Sequence, residues 1–228
     1  MNDHLREFND FGFTVFKDAI ALDKILDIRE ALRIALINGD ESLNKLTLDE
    51  LVNFRESEDH SLVYNASISV GSSFASIFLL NAPFLVRACE MCSGVKFHNL
   101  HPMPLHIAIQ SPNDSSYDYK WHQESSFYDW CPDILNIWFP LVRPSKKEDG
   151  TMSVIPGSHK NGSIHFKSYK NTAGFRQLEC EIPDDLKFLG DEEYIEIELG
   201  DLEIFDANLI HRSEINKSNL PRYSGILR

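Results

Sequence analysis

The stretch KWHQESSFYDW, residues 120 to 130, places His122 two residues ahead of Glu124. An imidazole and a carboxylate are both good donors to a first-row divalent metal. On a strand, residues two apart project from one face about 6 to 7 Å from each other, so both could turn toward one ion. The pair alone is weak evidence, because nine histidines and 35 acidic residues in 228 positions give about one such coincidence by chance. A redox-active mononuclear iron site commonly takes two histidines and one carboxylate on one side, leaving its other positions open. The third ligand on this reading is a distant histidine, and the candidates are His4, His60, His98, His101, His106, His159, His165 and His211. His211 stands out: it follows a turn and an apolar strand in GDLEIFDANLI, and Arg222 in LPRYSG follows it eleven residues later.

The elements that must carry these residues change character along the chain. Up to about residue 100 the texture is mostly helical. GFTVFKDAI reads as a short strand, LDKILDIREALRIALING and TLDELVNFRESE as amphipathic helices, the first ended by Gly39. NAPFLVRACEMCSG reads as a helix with Asn81 capping, Pro83 near its start and Gly94 closing it. From about 104 short strands take over: PLHIAIQ, YKWHQESS, LNIWFPLV, TMSVIPGSH, YIEIELGDLEIF and RYSGILR, punctuated by Asp149-Gly150, Pro156-Gly157 and Gly200-Asp201. That spacing belongs to a sandwich or barrel. In PLHIAIQ, His106, Ala108 and Gln110 share one face and Leu105, Ile107 and Ile109 the other. If the aliphatic set packs on a core, the polar set faces either a cavity or solvent.

Composition sets the outer limits. A hydrophobic share of 43% with 25% charged residues predicts an ordinary folded chain, and 228 residues suit one domain, with 1–103 as largely helical support and 104–228 as the β core. The net charge of -13 makes phosphate backbones and anionic membranes poor partners, so a small-molecule substrate is expected; the expected assembly is a monomer or small homo-oligomer. The polar stretch MNDHLREFNDFG has no apolar signal core, and no apolar run approaches the roughly eighteen residues of a membrane span, which reads as cytoplasmic. Four scattered cysteines do not make a disulfide scaffold, and the CxxC of Cys89 and Cys92 reads as a pair of buried helix thiols.

Taken in order, WHQE, LNIWFPL, DGTMSVIPGSHKNG, GDLEIFDANLIHRS and NLPRYS resemble the phytanoyl-CoA dioxygenase family of iron- and 2-oxoglutarate-dependent oxygenases, over about 104 to 228. FNDFGFTVFKDAI resembles that family's opening strand. The resemblance implies a mainly β protein with flanking helices, a double-stranded β-helix (jelly roll, cupin-like), with Fe(II), 2-oxoglutarate and O2 as the reacting set. It implies His122, Glu124 and His211 as iron ligands and Arg222 as the partner of the distal carboxylate of 2-oxoglutarate, a role that suits the planar guanidinium fork. Ser213, on the same face as His211 if both lie on a strand, is a candidate hydroxyl donor to the same carboxylate, and Gln110 and Trp138 align with positions that line the cosubstrate pocket in that family. The family usually has aspartate where this chain has Glu124, and the extra methylene calls for a shifted metal or a compensating backbone change. A carboxylate is still present, which on the same resemblance favours hydroxylation over halogenation.

Phe127, Tyr128 and Trp130 follow the metal motif directly and are candidates for a substrate wall, or for an aromatic plug at the barrel end. Asp129 and Arg212 are further polar candidates for orienting a substrate. His159, in VIPGSH, reads as lying past a strand end, and His101 and His165 have no partner motif. Two other readings compete with the oxygenase: a cupin-type metal-dependent isomerase or lyase, which would ignore 2-oxoglutarate, and a non-catalytic jelly-roll binding module.

Overall fold

Apolar residues recur at helical spacing early in the chain and at alternate positions later, and the architecture follows that division. The computed structural model describes residues 2–115, 119–128, 134–170, 176–182 and 191–228. Helices α1 (Asn2–Phe11), α2 (Leu22–Ile37), α3 (Leu48–Glu58), α4 (His60–Gly71), α5 (Phe74–Leu80) and α6 (Pro83–Ser93) all precede the second strand. The strands are β1 (Phe13–Phe16), β2 (His106–Gln110), β3 (Tyr119–His122), β4 (Leu135–Pro140), β5 (Met152–Val154), β6 (Phe166–Lys170), β7 (Arg176–Cys180), β8 (Glu193–Tyr194), β9 (Leu202–Asp206), β10 (His211–Ser213) and β11 (Arg222–Leu227).

The strands form a five-stranded sheet in the order β1-β9-β4-β11-β2, a four-stranded sheet in the order β3-β10-β5-β8, and a β6-β7 hairpin. The assigned pairings are antiparallel, and the two larger sheets make the double-stranded β-helix. Alternation decides what each face does. Ile107 and Ile109 of β2, Ile137 and Phe139 of β4, Ile204 of β9 and Tyr223 of β11 face a core shared with Ile25, Ile28, Leu32 and Leu36 of α2 and Val63 and Val70 of α4. Trp138, Phe205, Met152, Val154, Ile195 and Ile197 make a second core. Gly225 on β11 has no side chain to spare, because the ring of Phe139 occupies the place where a Cβ would stand.

Several expectations are refined. Asn81 does not cap α6: it closes α5, its Nδ2 donating to the Ile77 carbonyl at 2.8 Å, while Ala82 precedes α6 with no side-chain cap. Gly94 does close α6, in the left-handed region at φ 68°. In YIEIELGDLEIF the regular strand is broken: β8 holds only Glu193 and Tyr194, and Ile197 makes a single bridge to Ser145 before β9 begins. The β6-β7 hairpin carries no alternation strong enough to announce it, since β6 is exposed or half-buried throughout. No single helix among the described residues is long and apolar enough to cross a membrane. The α4 and α5 pair reaches that length only across a 52° bend, and both helices pack on α2.

Candidate metal and cosubstrate site

β3 ends at His122, and the chain leaves the strand there. Gln123 is extended, and Glu124 opens a short 3-10 turn, Glu124–Ser126. The expectation that His122 and Glu124 sit two apart on one strand is therefore corrected, since the backbone bends between them. Gln123 is fully buried and anchors the bend: its Nε2 donates to the carbonyls of Gly162 (2.9 Å) and Asn208 (2.6 Å), and its Oε1 accepts from Ile164 N (2.8 Å). Each such bond contributes about 0.5 to 1.5 kcal/mol net, and a buried amide with its bonds broken costs more.

His211 opens β10 and lies opposite His122 in the antiparallel register. The two ring centroids are 4.2 Å apart, and His211 Nε2 is 3.8 Å from Glu124 Oε2. His122, Glu124 and His211 are all buried, and one ligand atom from each falls within 4.8 Å of the others. Each imidazole is oriented by its own backbone. Nδ1 of His122 is 2.7 Å from the Lys120 carbonyl, and Nδ1 of His211 is 2.9 Å from the Leu209 carbonyl. A carbonyl only accepts, so Nδ1 carries the hydrogen and Nε2 turns its lone pair into the cluster, the tautomer a metal ligand needs. Burial holds the pKa of His122 below the ordinary histidine value. His211 lies well below it, through burial first and the neighbouring His122 second. Both rings are neutral near pH 7, ready to donate to a cation.

The cluster opens into a cavity of about 240 Å³ lined in part by Trp138, Met152, Phe205, Ser213, Arg222 and Ser224. Arg222 is buried, its Nε and Nη2 donating to Gln110 Oε1 at 3.1 and 2.7 Å, with Cζ 5.9 Å from the Trp138 ring centroid. Gln110 is held in turn by donating from Nε2 to the Glu214 carbonyl at 2.7 Å. Among the polar residues of β2, His106 lies on the cavity wall and Gln110 is directed onto Arg222. The open choice for that face resolves in part each way: Gln110 is buried, while His106 lines the cavity but is exposed.

Phe127 and Tyr128 also line the cavity, Phe127 with its ring edge-on to His122 at 5.7 Å. Trp130 and Asp129 lie outside the described residues. Arg212 points elsewhere: it pairs with Glu192 (2.7 Å) and Glu214 (3.0 Å) and stacks on Trp121. His159 reaches the Asn9 carbonyl at 3.2 Å and His165 lies 3.4 Å from Glu181, both away from the cluster.

Among the cavity residues that sequence reasoning missed, two carry polar chemistry near the cluster. Ser224 has a buried hydroxyl with no hydrogen-bond partner among the described residues. Arg228 lies 2.6 Å from Glu124 Oε1 through Nη2. Their signal is the alternation of RYSGILR, which places Arg222, Ser224, Ile226 and Arg228 on one face.

A family model described as Phytanoyl-CoA dioxygenase (PhyH) matches residues 8–224. The chain belongs to the phytanoyl-CoA dioxygenase family. Solved structures share the family member's fold at low identity. A non-heme monooxygenase, ThoJ in its apo form, superposes with a TM-score of 0.69 at 15% identity, covering 99% of this chain and 76% of its own. EctD from S. alaskensis with bound Fe gives 0.66 at 16%, covering 100% and 75%. The epimerase SnoN, in complex with Fe3+, alpha ketoglutarate and nogalamycin RO, gives 0.66 at 15%, covering 99% and 81%. Identities this low carry the fold alone.

Proposed function

We propose that this phytanoyl-CoA dioxygenase family member is an Fe(II)- and 2-oxoglutarate-dependent dioxygenase that hydroxylates a small molecule while 2-oxoglutarate is converted to succinate. The observation that carries this reading is one cavity holding both a His-Glu-His cluster within 4.8 Å and a buried arginine braced by glutamine. Two neutral nitrogens and one carboxylate, all buried, suit a ferrous ion, and the buried Arg222 guanidinium in the same cavity suits an anionic cosubstrate. EctD and SnoN, of the same fold, hold iron or alpha ketoglutarate in their own structures.

In this reading His122 Nε2, His211 Nε2 and Glu124 hold the metal. Arg222 takes the distal carboxylate of 2-oxoglutarate, with Ser213 and Ser224 as hydroxyl donors and Trp138 as a wall. Gln110 positions the guanidinium instead of touching the cosubstrate. When bound, iron with 2-oxoglutarate and oxygen supplies the oxidising power that no side chain here has. The protein holds the reactants in register and keeps water out. Phe127 and Tyr128 form the substrate wall. Glu124 occupies a coordination position with a carboxylate, which favours hydroxylation over halide transfer.

The test is a calorimetric titration of anaerobic, Fe(II)-loaded protein with 2-oxoglutarate, followed by a succinate assay in air. Saturable uptake and slow succinate release without added substrate are expected. A loaded protein that takes up no 2-oxoglutarate overturns the reading and returns the chain to the cupin-type or non-catalytic alternatives.

A further inference from the structure

Arg228 puts a second guanidinium in the cavity, where the iron and 2-oxoglutarate roles already have Glu124 and Arg222. The cavity-facing side of β11 runs Arg222, Ser224, Ile226, and Arg228 continues it one step past the strand. Six extended residues separate the Cα atoms of the two arginines by about 20 Å, so they serve opposite ends of the cavity. Arg222 sits with Gln110 and Trp138, Arg228 with Glu124, His106 and Tyr128.

Three contacts hold Arg228 in place. Its main-chain carbonyl accepts from Met103 N at 2.8 Å, Nη2 lies 2.6 Å from Glu124 Oε1, and Cζ is 5.6 Å from the Tyr128 ring centroid. One of its donors, Nε, is buried and finds no hydrogen-bond partner among the described residues. A buried N–H left unmet is costly, and a guanidinium has five donors, more than one carboxylate oxygen can occupy.

The Arg228 side chain is only 19% exposed to water, and the carboxylate beside it, Glu124, belongs to the metal cluster.

Building on the oxygenase reading, we propose that the substrate is a small organic acid whose carboxylate binds Arg228 from the Nε side, between His106 and Tyr128. Its carbon chain then runs past Ile226 and Phe127 toward the metal. Arg228 is a specificity-determining residue in this scheme, with Glu124 fixing one side of its guanidinium and the substrate taking the other.

The test uses the full chain loaded with Zn(II), which is redox-silent, and with 2-oxoglutarate. The probes are straight-chain monocarboxylic acids of four to eight carbons and their primary amides, with affinities read by ligand-observed NMR. At least one acid is expected to bind, with its amide at least tenfold weaker. Arg228→Gln should remove that preference and Arg228→Lys, which keeps the charge, should retain most of it. Equal binding of acid and amide, no binding by any acid at millimolar concentration, or a preference that persists in Arg228→Gln overturns the proposal. The wild-type ratio of acid to amide decides the matter even if Arg228→Gln does not fold. Failure of the oxygenase reading is seen separately, as absent uptake of metal or 2-oxoglutarate before any probe is added.

Discussion

His122 and His211 lie directly opposite one another across the β3-β10 pair, with ring centroids 4.2 Å apart. Antiparallel register makes this possible: a slip of one residue would turn one imidazole to the far side of the sheet. On the proposed reading both neutral rings donate to one metal ion. Replacing either histidine by alanine should therefore abolish Co(II) binding, read as loss of the visible absorption of the cobalt protein. Glu124→Ala should weaken it by a hundredfold or more. Wild-type cobalt absorption persisting in His211→Ala would remove His211 from the metal set.

The Gln110 to Arg222 contact makes a graded prediction. Arg222→Gln removes the cation itself and should weaken 2-oxoglutarate binding by about 2 to 5 kcal/mol. Gln110→Ala leaves the charge but removes its brace, a change of about 1 kcal/mol, or roughly fivefold in affinity. Calorimetry on the metal-loaded variants separates the two. A Gln110→Ala effect as large as that of Arg222→Gln would mean that Gln110 itself touches the cosubstrate.

Asp201 ties the start of β9 to the loop after β1. It is buried, and its carboxylate accepts from Lys17 Nζ (2.8 Å), Asp18 N (3.0 Å) and Glu198 N (3.0 Å). Burial pushes its pKa up, but these donors outweigh burial and leave it below the ordinary aspartate value. The folded pKa is thus lower than the unfolded one. The stabilisation is present in full above the unfolded value of about 3.9 and is lost as pH falls through the folded value. Asp201→Asn should cost about 1 to 3 kcal/mol at pH 7 in urea unfolding, and its gap from wild type should narrow below about pH 4. A gap that stays constant down to pH 2.5 would show that the charge contributes nothing.

Cys89 and Cys92 sit on the buried face of α6, where burial pushes each thiol up to about 12. The reactive species is the thiolate, so at pH 8 both should react with iodoacetamide roughly a thousandfold more slowly than an exposed cysteine. Peptide mapping after native labelling should find both unmodified, and labelling in denaturant should find both modified. Fast native labelling of either would place it in an accessible, activating environment instead.

Much of this molecule was legible along the chain, because local periodicity is a property of local sequence. The alternation in PLHIAIQ assigned Ile107 and Ile109 to one face and His106, Ala108 and Gln110 to the other, and the structure buries the aliphatic set as expected. The order of WHQE, the strand before His211, and Arg222 eleven residues beyond it pointed to the family that the match over 8–224 shows. The tertiary structure decided the pairings between residues far apart in sequence. Gln110 and Arg222 are 112 positions apart, and only the antiparallel β2-β11 register brings them side by side. Glu124 meets Arg228 because the backbone bends at Gln123, held by a buried amide whose partners come from the loops around Gly162 and Asn208. Neither contact leaves a periodic trace, because register and loop closure are settled by the packing of the whole barrel and not by any stretch of it.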